Sequence, residues 1–223
     1  ELLKNASFAA EDGWTKQPGV TFPTNGNPVG EGPNMLFDIS QNLTGLQNGL
    51  YEFTVNAAYL AADYSALTGE EDYKAYVYIN GYKEKMNSVL SEPSETQAHS
   101  SDYYSEGVGY FPNSVDGAYA AFQAGRYKQT VYGLVTDGTM KVGLRNDLRY
   151  ADGSRAWWTN ANLIFRAKNA EILAEVIATT GAWVDTNKKK IISIIAGVVI
   201  VVGGYLGYTY GYQQPREEKA QTL

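Results

Sequence analysis

The sequence predicts an all-β sandwich with one short helix, followed by an amphipathic helix and a single transmembrane helix. Short apolar or alternating runs lie between clusters of Gly, Asn, Asp and Pro, a pattern typical of antiparallel strands. The chain has 18 tyrosines, a residue type that favours strands. A long uncharged stretch occurs late in the chain. The predicted boundaries are 1–166 for the sandwich, 167–187 for the amphipathic helix and linker, 188–212 for a basic flank and transmembrane helix, and 213–223 for a juxtamembrane tail.

The apolar runs of the first part predict six strands. The turn residues Asn80-Gly81 and Asp137-Gly138 each follow an apolar run, and such dipeptides are typical of tight hairpins. A further turn is predicted at residues 47–49. The predicted strands are residues 35–44, 50–60, 73–79, 129–136, 139–144 and 161–166. Several short strands at this spacing predict two packed sheets.

Residues 114–124 depart from the strand pattern. Ser114 is a favourable N-cap, apolar residues follow at helical spacing, and Gly125 stands where a helix would end. The sequence therefore predicts a short helix on the side of the sandwich.

The predicted membrane helix runs from Ile191 to Tyr212. These residues carry no charge and follow the triplet Lys188–Lys190, and an amphipathic segment over 168–184 precedes them. A helix of this length is sufficient to cross a hydrocarbon core of about 30 Å. Tyrosines cluster at its C-terminal end, where aromatic rings meet the headgroups.

Three glycines recur every fourth residue in the predicted membrane helix, at Gly203, Gly207 and Gly211. They share one helix face, and small residues let two backbones approach closely in lipid, so we predict helix self-association and a homo-oligomer. The lysine triplet favours a cytoplasmic N-terminal side. An exported β-domain requires the opposite orientation, and the sequence leaves the side of the membrane open.

Charge and residue usage exclude several function classes. Residues 1–166 contain 12 Lys and Arg against 19 Asp and Glu, a net charge of −7, which disfavours nucleic-acid binding. There is no cysteine, hence no disulfide or thiolate metal site. His99 is the only histidine and lies in a polar loop. We therefore predict a protein that is not an enzyme and needs no cofactor. A hydrolase with paired carboxylates is the catalytic alternative.

Aromatic residues are the predicted ligand contacts. Trp14, Trp157 and Trp158 are candidates because an exposed indole stacks on the apolar face of a sugar ring. Trp157 and Trp158 are adjacent, so on a strand they point to opposite faces, one into the core and the other outward. A structural calcium is a weaker alternative, with oxygen ligands from four aspartates in or near loops: Asp63, Asp72, Asp102 and Asp116.

Three parts of residues 5–165 carry a resemblance to a known domain type: Asn5, Phe8 and Trp14, the blocks 37–55 and 110–146, and the closing Trp158 and 163–165. They resemble the galactose-binding-like jelly-roll domains of surface and secreted glycan-utilisation proteins from gut commensal bacteria. The resemblance implies a jelly-roll sandwich in an accessory, often carbohydrate-binding domain of the bacterial cell envelope. It assigns no binding residue.

Residues 180–223 resemble the N-terminal membrane anchor of tetratricopeptide-repeat proteins from similar bacteria. In such proteins the lysines lie in the cytoplasm, and helical repeats follow the membrane helix. Two origins remain open, a natural single gene and an artificial junction of two pieces near residues 166–180. The predicted function is a non-catalytic, carbohydrate-binding module tethered to a membrane. The alternative is a structural or assembly protein whose sandwich binds protein and whose helix self-associates.

Overall fold

The computed structural model describes residues 2–22, 28–92, 102–105 and 109–168, and these form a β-sandwich with one short α-helix. The chain divides into two units, Glu1–Ala167 and Lys168–Leu223. In the first unit the strands are β1 (Gly30–Pro33), β2 (Phe37–Leu43), β3 (Gly49–Leu60), β4 (Ala75–Ile79), β5 (Tyr82–Lys85), β6 (Asn87–Ser88), β7 (Tyr103–Ser105), β8 (Gly109–Phe111), β9 (Lys128–Val135), β10 (Met140–Asn146) and β11 (Arg155–Ala167). The helix α1 is Val115–Gln123, and a 3-10 turn spans Tyr64–Ala66.

Two sheets form the sandwich. The four-stranded sheet has the order β2-β10-β4-β5, and all its pairs are antiparallel. The five-stranded sheet has the order β1-β11-β3, with β9 and the short β6 both pairing with β3. The described parts of β7 and β8 pair only with each other. The predicted two-sheet architecture is therefore confirmed at the level of a β-sandwich.

The five-stranded sheet buries apolar side chains on both of its faces. Ala57 and Tyr59 of β3 belong to the main core between the two sheets. Ala58 and Leu60, which alternate with them, belong to a second core formed with Phe122 of α1 and neighbouring loops. Alternation along a strand normally places polar residues outside. Here the helix covers part of the outer face, so both faces are apolar at this end of β3.

The predicted helix is confirmed as α1. The Ser114 hydroxyl accepts a hydrogen bond from the Gly117 amide at 3.1 Å, satisfying one of the free N–H groups at the helix start. At the other end Gly125 has a φ of +80°, a left-handed conformation that glycine adopts readily, and its amide donates to Phe122 O at 3.0 Å.

The two turn dipeptides have different outcomes. The turn predicted at Asn80-Gly81 is confirmed, and it joins β4 in a hairpin to β5, a strand that the sequence analysis did not predict, with Ile79 opposite Tyr82. The Asp137-Gly138 prediction is wrong, since β9 pairs with β3 in one sheet while β10 lies between β2 and β4 in the other. The chain does bend there, with Gly138 at φ +74°. The dipeptide marks the bend, whereas burial of the flanking strands decides which ladder each one joins.

The last strand is longer than predicted. It begins at Arg155 instead of residue 161, and its register with β3 shifts between Thr159 and Asn162. Asn160 lies in this irregularity with φ +50°, a conformation that Asn tolerates better than most residues. The shift interrupts the alternation, which is why the sequence pattern shows only the second half of the strand.

The connection from β3 to β4 is fixed by a buried carboxylate. Glu71 is 8% exposed and accepts hydrogen bonds from the amides of Thr68 and Gly69 and from the Thr68 hydroxyl. Burial alone raises the pKa of Glu71, but these hydrogen bonds outweigh it and hold the pKa below its usual value. The ionised carboxylate therefore stabilises this loop.

Several predictions fall outside the described residues. These are the amphipathic helix, the transmembrane helix from Ile191 to Tyr212 and the glycines Gly203, Gly207 and Gly211, all of which stay predictions. Within the described ranges, no helix has both the length and the apolarity that a bilayer crossing requires.

Candidate functional site

The three tryptophans predicted to contact ligand are all buried. Trp14 is 6% exposed, stacks on Phe8 with ring centroids 4.3 Å apart, and donates from Nε1 to Asn5 O at 3.1 Å. Its ring faces other core side chains rather than solvent. The tryptophan therefore anchors the N-terminal segment on the sandwich.

Trp157 and Trp158 point to opposite faces of β11, as predicted. Trp158 lies in the main core with its ring centroid 5.5 Å from that of Phe37, and Trp157 lies in the second core and donates from Nε1 to Glu31 Oε1 at 3.1 Å. The expectation that one of the pair is exposed is wrong, because both are 0% exposed. The residues of the second core cover the face of β11 on which Trp157 stands. An interpretation of the sequence as two packed sheets leaves that face in contact with solvent.

In the part of the chain that the structure describes, the aspartates considered for calcium do not fall within a group of three or more His, Cys, Asp or Glu side chains. Asp72 forms an ion pair with Lys74, with Oδ1 and Nζ 2.6 Å apart. Asp116 lies in the first turn of α1, where a negative charge favours the helix dipole.

Exposed apolar side chains concentrate instead at one end of the sandwich. Leu36 lies in the β1–β2 loop, and Leu148 and Tyr150 lie in the β10–β11 loop. Phe37, the first residue of β2, pairs with Asn146, the last residue of β10, so both loops leave the sheet at the same end of these strands. These are three of the six large apolar side chains that are exposed among the described residues. Exposed apolar side chains on two loops that contact each other make this end of the sandwich a candidate binding surface.

A shallow, open hollow lies at the same end. It has a volume of about 310 Å³ and is lined by Asn34, Arg149, Tyr150, Ala151 and Asp152. Two contacts join its walls. Arg149 Nε donates to Asn34 O at 3.0 Å, and Asn34 Nδ2 lies 3.5 Å from Asp152 Oδ1, the outer limit of a hydrogen bond. Loops that are distant in sequence are thus held against each other.

The loop that lines the hollow continues at Gly153 into a close contact with Asp63. Gly153 has φ +79°, and a Cβ there would come within 2.3 Å of Asp63 Oδ1, so the loop passes closer to Asp63 than any larger residue permits. Nearby, burial raises the pKa of the Tyr59 phenol, and the side chains of Ser154 and Asn146 partly oppose that rise.

The lining groups offer donors, acceptors and one ring face. Tyr150 is 37% exposed. Among the residues that the structure describes, neither Arg149 nor Asp152 forms an ion pair. Asn34 Oδ1 is buried and has no hydrogen-bond partner there. Such a set suits an uncharged ligand with several hydroxyl groups, since hydroxyls both donate and accept.

Sequence reasoning missed all the hollow's lining residues. One signal was present: Leu148, Arg149 and Tyr150 stand together between Asp147 and the polar run that follows, where an ordinary loop would be polar throughout. The contribution of Asn34 had no such signal, because its approach to the second loop depends on how β2 and β10 pair.

No protein-family model matches the sequence, and no curated protein matches it. Among solved structures, the chain is similar to TmCBM61, a carbohydrate-binding module in complex with beta-1,4-galactotriose. The two are 12% identical with a TM-score of 0.39, and the alignment covers 74% of this chain and 98% of that chain. At this level of similarity, the assignment of a site in this chain depends on its own contacts.

Proposed function

We propose that this chain is a non-catalytic carbohydrate-binding module and that the hollow between Asn34 and Asp152 holds the sugar. One observation carries the proposal: the exposed ring of Tyr150 lines the hollow together with the Arg149 guanidinium, the Asn34 amide and the Asp152 carboxylate. The guanidinium and the carboxylate form no ion pair among the described residues. A sugar ring presents an apolar C–H face to an aromatic ring and hydroxyls to polar groups around its edge.

The charges favour a neutral sugar. Arg149 and Asp152 both line the hollow, so an acidic sugar attracted by the guanidinium also approaches a carboxylate. Residues 1–166 carry a net charge of −7, which adds a general repulsion of anions. A neutral sugar accepts from Arg149 and donates to Asp152 without either penalty.

The size of the hollow favours the end of a glycan. Ligand sites commonly have volumes of about 300–1,000 Å³, and this hollow is at the lower end of that range. Its open shape allows the remainder of a glycan to extend into solvent. We therefore expect recognition of a terminal sugar rather than of a long internal segment.

Binding is best tested with the first unit alone. All described strands pair within Glu1–Ala167, and both cores lie inside it, so a chain ending at Lys168 retains every contact of the fold described above. A glycan array of plant, host and microbial glycans, followed by calorimetry on the hits, should identify a neutral glycan. Absence of binding across such an array contradicts the proposal.

A matched pair of tyrosines separates the site from general surface effects. Tyr150→Ala should weaken glycan binding at least tenfold, because it removes the stacking ring. Tyr132 is similarly exposed, at 36%, but lies on the five-stranded sheet, so Tyr132→Ala should leave affinity within about twofold. Equal affinity of the two variants would place the site elsewhere.

We also propose that the stretch from Ile191 to Tyr212 tethers the module to a cell-envelope membrane. Its lack of charge and the preceding lysine triplet support this. The full chain should stay in the membrane fraction after carbonate extraction, while a chain ending at Lys168 should not. Recovery of the full chain in the soluble fraction contradicts tethering.

Protein assembly is the second candidate function. Tyr132 and Ile164 stand on either side of Glu52 in the five-stranded sheet, and both are more than one-third exposed, which provides a surface for a protein partner. The glycine face of the predicted membrane helix supplies self-association. Gly207→Ile should reduce association in bilayers under this hypothesis, and unchanged association excludes that face.

A further inference from the structure

Two exposed leucines lie in the two loops that line the polar hollow. Leu36 is 55% exposed and stands two residues after Asn34, while Leu148 is 40% exposed and directly precedes Arg149. The pairing of Phe37 with Asn146 places both loops at the same end of the strands of the four-stranded sheet. The two loops therefore present both the polar hollow and two exposed apolar side chains.

The two parts have different ligand requirements. A sugar alone satisfies the hollow but leaves the leucines in water, and covering apolar surface is favourable in proportion to the area removed from water. Exposed apolar surface beside a polar pocket indicates a ligand with a matching apolar portion. Ile164 and Tyr132, which are also exposed, lie on the five-stranded sheet.

We propose that the preferred ligand is an amphiphilic glycoside, a neutral sugar carrying an alkyl or acyl chain. The sugar occupies the hollow, and the chain lies against Leu36 and Leu148. This inference rests on the proposed function and adds the chemical class of the ligand. It also predicts that an unsubstituted polysaccharide is the weaker ligand.

Charge favours a single amphiphilic molecule over an anionic bilayer surface. Residues 1–166 carry a net charge of −7, which repels anionic lipid headgroups. The cations near this end are engaged within the chain: Arg145 pairs with Asp147, Arg155 pairs with Glu31, and Arg149 Nε donates to Asn34 O. Membrane-surface binding through loops generally combines apolar residues with clustered basic residues, and the loop 147–154 has one basic residue.

The test compares methyl and hexyl β-glycosides of the same sugar, galactose or glucose, by calorimetry on the chain ending at Lys168. We expect the hexyl glycoside to bind at least tenfold more tightly. A fully buried methylene contributes about fourfold, so a tenfold gain needs only part of the five additional methylenes to be covered. Equal affinity for the two glycosides overturns the inference while the proposed function stands.

Single substitutions test where the alkyl chain of the glycoside binds. Leu36→Ser and Leu148→Ser should remove most of the hexyl gain and leave methyl glycoside affinity within about twofold. Ile164→Ser, with a similarly exposed apolar residue on the other sheet, should keep the gain. Tyr150→Ala should weaken both ligands. A hexyl gain that survives both leucine substitutions contradicts the assigned position.

Two further outcomes are decisive. If neither the array nor the glycosides give binding, the proposed function fails and the inference fails with it. If the same chain sediments with phosphatidylcholine vesicles that contain no sugar, and Leu36→Ser with Leu148→Ser abolishes this, the leucines contact lipid and the glycoside proposal is wrong.

Discussion

Replacing Trp158 with alanine should separate a core role from a ligand role. The side chain is 0% exposed, and its ring packs against Phe37 and Phe8 at centroid distances of 5.5 and 6.5 Å. A Trp side chain buries roughly 150–250 Å², and at about 25 cal/mol per Å² this corresponds to about 4–6 kcal/mol. Measured Trp-to-Ala substitutions in cores cost about 3–5 kcal/mol. We expect a loss of that size in the free energy of unfolding.

Urea unfolding of the chain ending at Lys168, followed by tryptophan fluorescence and circular dichroism, measures this loss. Trp158→Phe serves as the graded control. The Nε1 of Trp158 is buried without a hydrogen-bond partner in the described region, so removing it relieves about 1–3 kcal/mol of desolvation and offsets part of the lost packing. Trp158→Phe should therefore lose less than half as much stability as Trp158→Ala.

Tyr150→Ala supplies the reverse comparison. This exposed residue should contribute within about 0.5 kcal/mol to stability while carrying much of the glycan affinity. A stable Trp158→Ala variant that has lost glycan binding would refute the burial argument and restore tryptophan as the ligand contact.

Three further substitutions test individual contacts. Gly30→Ala places a Cβ 2.2 Å from Nε1 of Trp158, so it should lower stability by about 1–3 kcal/mol in urea unfolding, and an unchanged midpoint would contradict this. Ser114→Ala removes the N-cap of α1 and should lower the free energy of unfolding by about 1 kcal/mol in the same assay. Ser114→Asp keeps a capping oxygen and should retain most of that stability. Glu71 has a lowered pKa, so its ionised form contributes stability above the usual pKa of 4.5, and this is lost as pH falls through the lowered value. The unfolding temperature should therefore fall more steeply from pH 7 to pH 3 for the native chain than for Glu71→Gln. Parallel curves of unfolding temperature against pH would contradict the assigned hydrogen bonds.

The sequence predicted local structure correctly where the residues that determine it are neighbours in the chain. The Ser114 cap and the Gly125 stop lie within one short segment, and they define α1. The Asn80-Gly81 hairpin likewise needs only a left-handed turn between two adjacent strands. Alternation in the apolar runs gave the all-β class, because a strand exposes its two faces to different surroundings.

Long-range packing decided the rest. Asp137-Gly138 resembles Asn80-Gly81 as a sequence signal, yet its flanking strands enter different sheets, because each strand joins the ladder that buries its apolar face. The fate of Trp157 depends on α1 and its surrounding loops covering a second face of the five-stranded sheet. No local pattern encodes such a cover, since it requires elements far apart in the chain to meet.

The hollow illustrates the same division. The sequence by itself determined that an acidic, cysteine-free β-domain precedes an uncharged stretch, since composition and hydropathy need no knowledge of contacts. Only the tertiary structure brought Asn34 within hydrogen-bonding distance of Arg149, and only it exposed Tyr150 while burying Trp158. Whether an aromatic ring is available to a ligand depends on what packs over it, and packing is a property of the folded chain.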